Sequence, residues 1–509
     1  MSGKKLILSS AGVTIVMVIG YFLSFGKEVV IANYYGISNN VDAYTIALQI
    51  PITLFAFVSV AIRSVVVPLY SELLYNKGQA EASKFIGLLI TIISLLNFCL
   101  IILCEIFASG LVYLFAPGFD IETHNLATLL LRLLLPCAIF TPIGHILIAV
   151  LNVHKQYVWA SFAVLLLNIS IIIFIVFLHA SWGIRSACFG NLVGCILEVS
   201  FLAILSRKFF KFHPNFHWYD AYLSKALKMT FPVLWSMSIA EVNAMVNRMV
   251  ASFLFVGSIA ALGFASKINS IMMQFFVSAI ATIVYPLYAE SSAKGNMTQL
   301  NRNVNYVMSI YVMLLLPLMC GIFTLKKEIM EIAFMRGKFD EHAVEITQGL
   351  LGFYTIGLLF MALRETVTKV FYSMGDTKTP AKNATIGLIL NIILNLTLPF
   401  VMGVNGLALA TAITAIFISS RLLFILKRYN NDIKLDFFFK NLKLILLASC
   451  IMMAVILPIQ FFVSFNMWVK VAIIVITGGV VYLISILLLN VPIAQYLKDN
   501  YIKKSRTRT

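Results

Sequence analysis

Fourteen apolar runs, each about 20 residues long, succeed one another along this 509-residue chain. A helix of that length crosses a hydrocarbon core of about 30 Å and closes the segment's backbone hydrogen bonds internally, as lipid demands. The runs lie at roughly 6–27, 45–69, 85–108, 126–150, 158–178, 184–205, 228–252, 259–288, 304–325, 347–372, 381–400, 405–426, 442–463 and 468–489. Hydrophobic residues make up 61% of the chain, charged residues 12%, and the mean hydropathy is +0.95, more than a soluble core of this size needs. The sequence therefore predicts an all-α polytopic membrane protein. The start, Met1-Ser2-Gly3-Lys4-Lys5 and an apolar run to Gly26, imitates a signal peptide but lacks an Ala-x-Ala-like cleavage site; it reads as a first membrane helix that stays.

The runs are organised as a repeat. Ala43 through Pro68-Leu69-Tyr70-Ser71-Glu72 matches Ala261 through Pro286-Leu287-Tyr288-Ala289-Glu290 at an offset of 218. Leu166-Leu167-Asn168-Ile169 matches Ile389-Leu390-Asn391-Ile392 at 223, and Gly183-Ile184 with Arg207-Lys208 matches Gly403-Val404 with Lys427-Arg428 at 220. Six runs fall in each repeat and two follow, so both halves share one orientation. The expected domains are an N-lobe, 1–215, a C-lobe, 216–430, and a segment 431–509 with two further helices and a basic tail. The stretch 206–225, aromatic and containing Pro214, reads as the linker. Two equivalent bundles around a central cavity are the plan of a secondary transporter, in which the site opens alternately to each side.

Lys and Arg settle the expected sidedness: 23 lie in one set of connections and both termini, and 6 in the other, namely Arg185, Lys326, Lys327, Arg336, Lys338 and Lys470. The positive-inside rule then puts both termini in the cytoplasm. The formal charge of +17 is thus mostly a topology signal; spread over short loops, it does not point to nucleic acid. Segment 326–346, mixed in charge, reads either as an interfacial helix outside or as a solvated connector.

Nine basic residues remain within or at the ends of the runs: Lys27, Arg63, Arg132, Lys228, Arg248, Lys267, Arg364, Lys369 and Arg421. A charge near the bilayer centre costs at least about 2.5 to 3.5 kcal/mol, so such groups face protein, water or a ligand. Lys228, Lys369 and Arg421 sit close enough to a helix end to snorkel. Lys267 occupies the repeat position of Gln49, and Arg63 lies in the first copy of the same helix, so both belong to the paired elements expected to line the cavity. Acidic residues at similar depth are Glu105, Glu198, Glu241 and Glu365; the basic excess favours an anionic ligand. Glu241, Asn243, Asn247 and Arg248 fit a helix–helix polar network or a cavity wall, and Arg364-Glu365 fits a compensated pair or a substrate contact.

Catalytic and metal signatures are missing. Gly20 to Lys27 resembles a phosphate loop only superficially: five residues separate Gly20 from Gly26, and Glu28 follows the lysine where Ser or Thr is required. The seven cysteines fall in apolar stretches without disulfide or zinc spacing, and His213 and His217 flank Pro214 in a basic loop. No cofactor is expected, and a transporter without a nucleotide motif would draw on the membrane potential or a coupling ion, with Glu241, Asn247, Arg364 and Glu365 as coupling or polar-network candidates.

Met335-Arg336-Gly337-Lys338-Phe339-Asp340, then Tyr354 and Gly357, Phe371-Tyr372-Ser373 and Gly375-Asp376-Thr377-Lys378-Thr379-Pro380 resemble the signature of the MurJ/MviN family of lipid II flippases, within the larger group of multidrug and polysaccharide lipid exporters. Asn247-Arg248, Ala265-Ser266-Lys267 and Val41-Asp42-Ala43-Tyr44 are similar to that family's seventh and eighth helices and first periplasmic turn. The resemblance implies a flippase that moves an undecaprenyl-pyrophosphate-linked sugar-peptide to the outer leaflet of a bacterial cytoplasmic membrane. It places Lys27 and Lys267 among the basic residues that line the family's cavity; with Arg63, Arg248 and Asp42 they make up the expected substrate-binding set, and cell-wall synthesis proteins are expected partners besides the lipid. Tyr21 and Phe55-Ala56 stand where the family usually has arginines. The last two runs would form a groove for the lipid tail or serve structure or dimerisation. Competing readings are a flippase for exopolysaccharide or O-antigen intermediates and a cation-coupled drug exporter; the latter would want intramembrane carboxylates in excess.

Overall fold

Every regular element among the described residues of the computed structural model, 3–210, 212, 241–429, 434–462 and 466–506, is a helix. The chain divides into two compact units, Met1–Ala260 with Arg336–Asp340, and Ala261–Met335 with Glu341–Thr509. The linker expected at 206–225 falls mostly outside the described residues.

The first unit holds α1 (Gly3–Tyr35), α2 (Asn39–Lys77), α3 (Gln79–Ile106), α4 (Ala108–Phe115), α5 (Ile121–Leu134), α6 (Cys137–Val153), α7 (Tyr157–Trp182), α8 (Arg185–Ser206) and α9 (241–251). Its core gathers Tyr70, Phe85, Ile86, Leu147, Val150 and Leu202. The α5–α6 pair bends by 42° at Leu135-Pro136, because Pro136 has no N–H to continue the ladder. Pro142, inside α6, leaves the Ala138 carbonyl without its helical donor, and buried Asn97 of α3 supplies one with Nδ2 at 3.0 Å. α7 and α8 pack through glycines one turn apart. A Cβ on Gly190 would stand 2.8 Å from the Ile171 Cα, and one on Gly194 would stand 2.9 Å from the Leu167 Cα.

In the chain's second half run α10 (Ser258–Met272, whose first three residues belong to the first unit), a π turn (Met273–Ser278), α11 (Ala279–Ala293), α12 (Met297–Thr324), α13 (Lys326–Phe334), α14 (Glu341–Ser373), α15 (Lys378–Thr397), α16 (Pro399–Met402), α17 (Val404–Tyr429), α18 (Asp436–Phe462), α19 (Met467–Leu488) and α20 (Pro492–Arg506). The wide π turn leaves carbonyls open, and the Tyr311 hydroxyl donates to that of Val277 at 3.0 Å. Pro317 frees the Met313 carbonyl, which Tyr482 of α19 caps at 2.6 Å. α18 is fixed at its start by Asn305, whose Oδ1 accepts from the Phe438 amide at 3.0 Å while its Nδ2 donates to the Lys434 carbonyl at 2.8 Å. Near the far ends of α18 and α19, buried Glu328 of α13 accepts from Gln460 at 2.7 Å and pairs with Lys470 at 3.1 Å. The last two membrane helices are therefore fastened to α12 and α13 along their length.

The repeat survives in backbone detail. Gly183 has φ 54° and ψ −143°, and Gly403 has φ 57° and ψ −141°. Gly183 N–H donates to the His179 carbonyl at 3.0 Å and Gly403 N–H to that of Pro399 at 2.9 Å; the carbonyls of Gly183 and Gly403 accept from Ser186 and Gly406 at 3.1 and 3.0 Å. Among the described residues eleven helices are long and apolar enough to cross a membrane, and the bent α5–α6 pair makes a twelfth. Each overlaps one of the fourteen runs; of the other two, 45–69 lies within α2, where the side chains of 56–65 are outside the description, and 228–252 is described only from 241 onward.

Candidate functional site

In the first unit the site begins on one face of α2. Asp42, Gln49 and Thr53 are spaced by seven and four residues, which puts their side chains within about 40° of one another around the helix. Asp42, 3% exposed, accepts from the Gly257 amide through Oδ2 and the Ala260 amide through Oδ1, both at 2.7 Å. It thus caps the start of α10, where orphan amides and the helix dipole favour negative charge. Gly257, at φ 93°, lies so close to Ile37 that no side chain fits. Asp42 precedes the apolar run of α2; burial pushes its carboxyl up to about 7, with the amides of Ala260 and Gly257 pulling the other way.

Further along that face, Gln49 Nε2 donates to Glu241 Oε2 of α9 at 3.0 Å and to Thr53 Oγ1 at 2.9 Å, and Thr53 donates to the same carboxylate oxygen at 3.4 Å. Glu241 and Arg248 share one face of α9, but seven residues of helix separate their backbones by about 10 Å. Arg248, half-buried like Asn247, donates to the Ala244 carbonyl at 3.3 Å. Lys27 of α1 pairs with Glu28 at 3.1 Å, the side chains 17% and 24% exposed, so its charge is partly compensated before any ligand arrives. The side chain of Arg63 lies outside the described residues.

Of the remaining sequence-predicted residues, Lys267 is half-buried on α10, where the first repeat has buried Gln49. Arg364 and Glu365 are neighbours on α14, pointing about 100° apart, and Glu365 meets Lys369 one turn on, at 3.3 Å, with Arg364 exposed. Lys369, set aside above as a snorkelling residue, is thus an ion-pair partner.

Sequence reasoning missed a strap. Residues Arg336–Asp340 pack with the first unit: the Lys338 amide donates to the Asn33 carbonyl at 2.8 Å, and Phe339 is 1% exposed. Gly36 and Gly337, both at positive φ, make the approach: a Cβ on Gly36 would collide with the Lys338 carbonyl oxygen, and one on Gly337 with that of Asn33. The signal available was Gly337 inside the Gly-Lys-Phe motif.

With this geometry in view, the comparisons decide the family. The model described as lipid II flippase MurJ matches residues 31–478. The chain belongs to the lipid II flippase MurJ family. A lipid II flippase MurJ of Thermosipho africanus is 31% identical over 426 residues, 84% of this chain and 86% of that one. A probable lipid II flippase MurJ of Vibrio cholerae is 28% identical, covering 83% and 82%. A solved lipid II flippase MurJ in an inward closed conformation superposes with a TM-score of 0.80 at 30% identity, covering 93% of this chain and 97% of that one. An inward-facing multidrug resistance MATE family transporter of the MOP superfamily, at 15% identity and TM-score 0.64 over 83% and 97%, shares the fold alone.

Proposed function

We propose that this chain flips lipid II, the undecaprenyl-pyrophosphate-linked peptidoglycan precursor, from the cytoplasmic to the outer leaflet of a bacterial cytoplasmic membrane, with both termini in the cytoplasm. The observation that carries the reading is the family match over residues 31–478. Chemistry supports it: Lys27, Arg248 and Lys267 are cations on apolar helices, and a pyrophosphate leaving water needs cationic partners. Arg63 belongs to the same proposed set on sequence grounds. Asp42 contributes differently, as a carboxylate that holds the start of α10 and releases it when the helix moves during the cycle. No nucleotide motif is present, so the driving force is the membrane potential or an ion, worth about 2.3 kcal/mol per elementary charge per 100 mV. Glu241 and Glu365 are the acidic groups placed to take part, the first with its Gln49 and Thr53 donors and the second with Lys369.

The deciding experiment is rescue of a cell depleted of its own lipid II flippase. Wild type and Lys267→Arg should restore growth, and Lys267→Ala should not. Loss of capsule or O-antigen in viable cells, with no effect on wall synthesis, would instead identify a different lipid-linked glycan. Flipping in sealed vesicles should proceed without ATP and fall when ionophores collapse potential and ion gradients together.

A further inference from the structure

A cleft of about 560 Å³ opens at the end of the first unit where α2, α5 and α8 start and α7 ends, lined by Asn40, Leu126, Ser181, Trp182, Arg185 and Phe189 among others. It lies at the opposite ends of those helices from Lys77, Lys155, Arg207 and Lys208, and so, under the proposed orientation, faces the outside. Arg185 is the one basic residue of the outward connections before residue 260. Its side chain makes no ion pair or hydrogen bond with any described residue: Asp42 is taken by the α10 amides, and Asp120 caps α5 through the Thr123 amide. Its guanidinium is therefore available to a ligand.

The wall beside it is rigid. The Gly183 carbonyl accepts from the Tyr35 hydroxyl at 2.8 Å and from Ser186 Oγ at 2.7 Å, and the rings of Tyr34 and His179 meet at 4.0 Å between centroids, tilted by 39°. Trp182 and Phe189 hold each other at 4.7 Å between centroids, with Trp182 44% exposed. An aromatic face, one guanidinium and the side-chain donors of Asn40 and Ser181 match a pyranose ring that carries a short peptide with a free carboxylate. The ring's apolar face stacks on the indole, its hydroxyls bond the amide and serine, and the planar carboxylate meets the arginine fork. A pyrophosphate would call for more than one cation, and the cleft has one. Its volume falls in the range of about 300–1,000 Å³ usual for small-molecule sites.

We infer that this cleft is an outward-side binding site for a carboxylate-bearing saccharide, and, resting on the flippase reading, that its occupant is the sugar-peptide head of the lipid once it has crossed. The test uses full-length protein in nanodiscs titrated with N-acetylmuramyl dipeptide, followed by saturation-transfer NMR. Wild type should bind. Arg185→Ala and Trp182→Ala, surface changes in a folded chain whose thermal stability is checked alongside, should each weaken binding by about tenfold or more, the scale of a lost charge-assisted contact. Arg185→Lys should fall in between, and uncharged N-acetylglucosamine should bind more weakly than the dipeptide. The inference is overturned if wild type does not bind or if Arg185→Ala binds as well as wild type. It is equally overturned if glycerophosphoglycerol, an anionic lipid head group, binds as tightly and is lost in the same variants. Rescue of the depleted cell by wild type reports on the flippase reading, and the titration on the cleft, so either can fail alone.

Discussion

The α7–α8 pair of the first half and the α15–α17 pair of the second, with the short α16 continuing α15, occupy equivalent places in the repeat and are joined through the same glycine turn, yet they are held together by different chemistry. α8 approaches α7 through Gly190 and Gly194, which bring side chain and backbone of Ile171 and Leu167 into van der Waals contact. At the repeat offset of 220 the second half has Ala410 and Thr414. There Asn391 Nδ2 donates to Thr414 Oγ1 at 3.2 Å, Asn395 donates to Asn391 Oδ1 at 2.7 Å, and Asn383 donates to the Ile418 carbonyl at 2.8 Å while accepting from Arg421 at 2.7 Å. Asn168, matched to Asn391, is half-buried and its side chain makes no hydrogen bond among the described residues. In lipid, where burial of apolar surface does not drive helices together, close packing and hydrogen bonding are interchangeable ways to fix one backbone arrangement. They differ in what breaks them.

Exchanging the residues across the repeat exposes that difference most strongly at Gly194. Gly194→Thr puts a Cβ 2.9 Å from the Leu167 Cα, and backbone cannot yield as a side-chain tip can. A loss of about 3 kcal/mol or more is expected, at the upper end of overpacking costs, read as a collapse in monodisperse yield and in SDS-unfolding midpoint. A variant as stable as wild type would show that α8 is free to shift. The glycine turns come next and should behave alike, because their backbones are alike. Gly183→Ala and Gly403→Ala each force a side chain into a nearly glycine-only conformation, at about 1–3 kcal/mol, and the two losses should agree within about 0.5 kcal/mol. A large inequality would mean the turns bear different loads. Asn383→Leu ranks third: it removes the acceptor of Arg421 and the donor of Ile418, for an expected loss of about 1–2 kcal/mol, and Arg421→Leu in the same chain should recover part of it. No recovery would uncouple the two residues.

Some of this was legible in the sequence and some was not, for a physical reason. Length and apolarity specify a membrane helix locally, and the glycine of a turn is a local requirement, so the runs and the Gly183–Gly403 match could be read from the chain. Partners for freed or orphan backbone groups are not local. Asn97 reaches a carbonyl opened by Pro142, Tyr482 one opened by Pro317, and Asp42 amides 215 and 218 residues away; none follows a spacing rule. The intramembrane charges were found because they are costly, but not their partners: helix geometry favours Lys369 over the adjacent Arg364 for Glu365, while Lys27 curls onto its neighbour Glu28. Gln49 drew notice only as the counterpart of Lys267, although it joins Thr53 at Glu241.

The smallest expected effect is the most discriminating. Thr414→Val keeps shape and β-branching and removes only the hydroxyl that accepts from Asn391, whose Oδ1 still receives Asn395. Interhelical hydrogen bonds in membranes average about 0.6 kcal/mol and reach about 1.7, because the separated helices also find partners. The loss should therefore stay near about 0.6 kcal/mol, several times below that of Gly194→Thr at the matching position. A double cycle with Asn391→Leu measures the pair directly, and its coupling should equal the Thr414→Val loss within about 0.3–0.5 kcal/mol. A coupling well above 1.7 kcal/mol would show that Asn391 and Asn395 act as one strongly cooperative ladder, with Thr414 as its end. A coupling near zero would show that α15 and α17 are held by the packing around them, as α7 and α8 are, and that the two halves differ less than their side chains suggest.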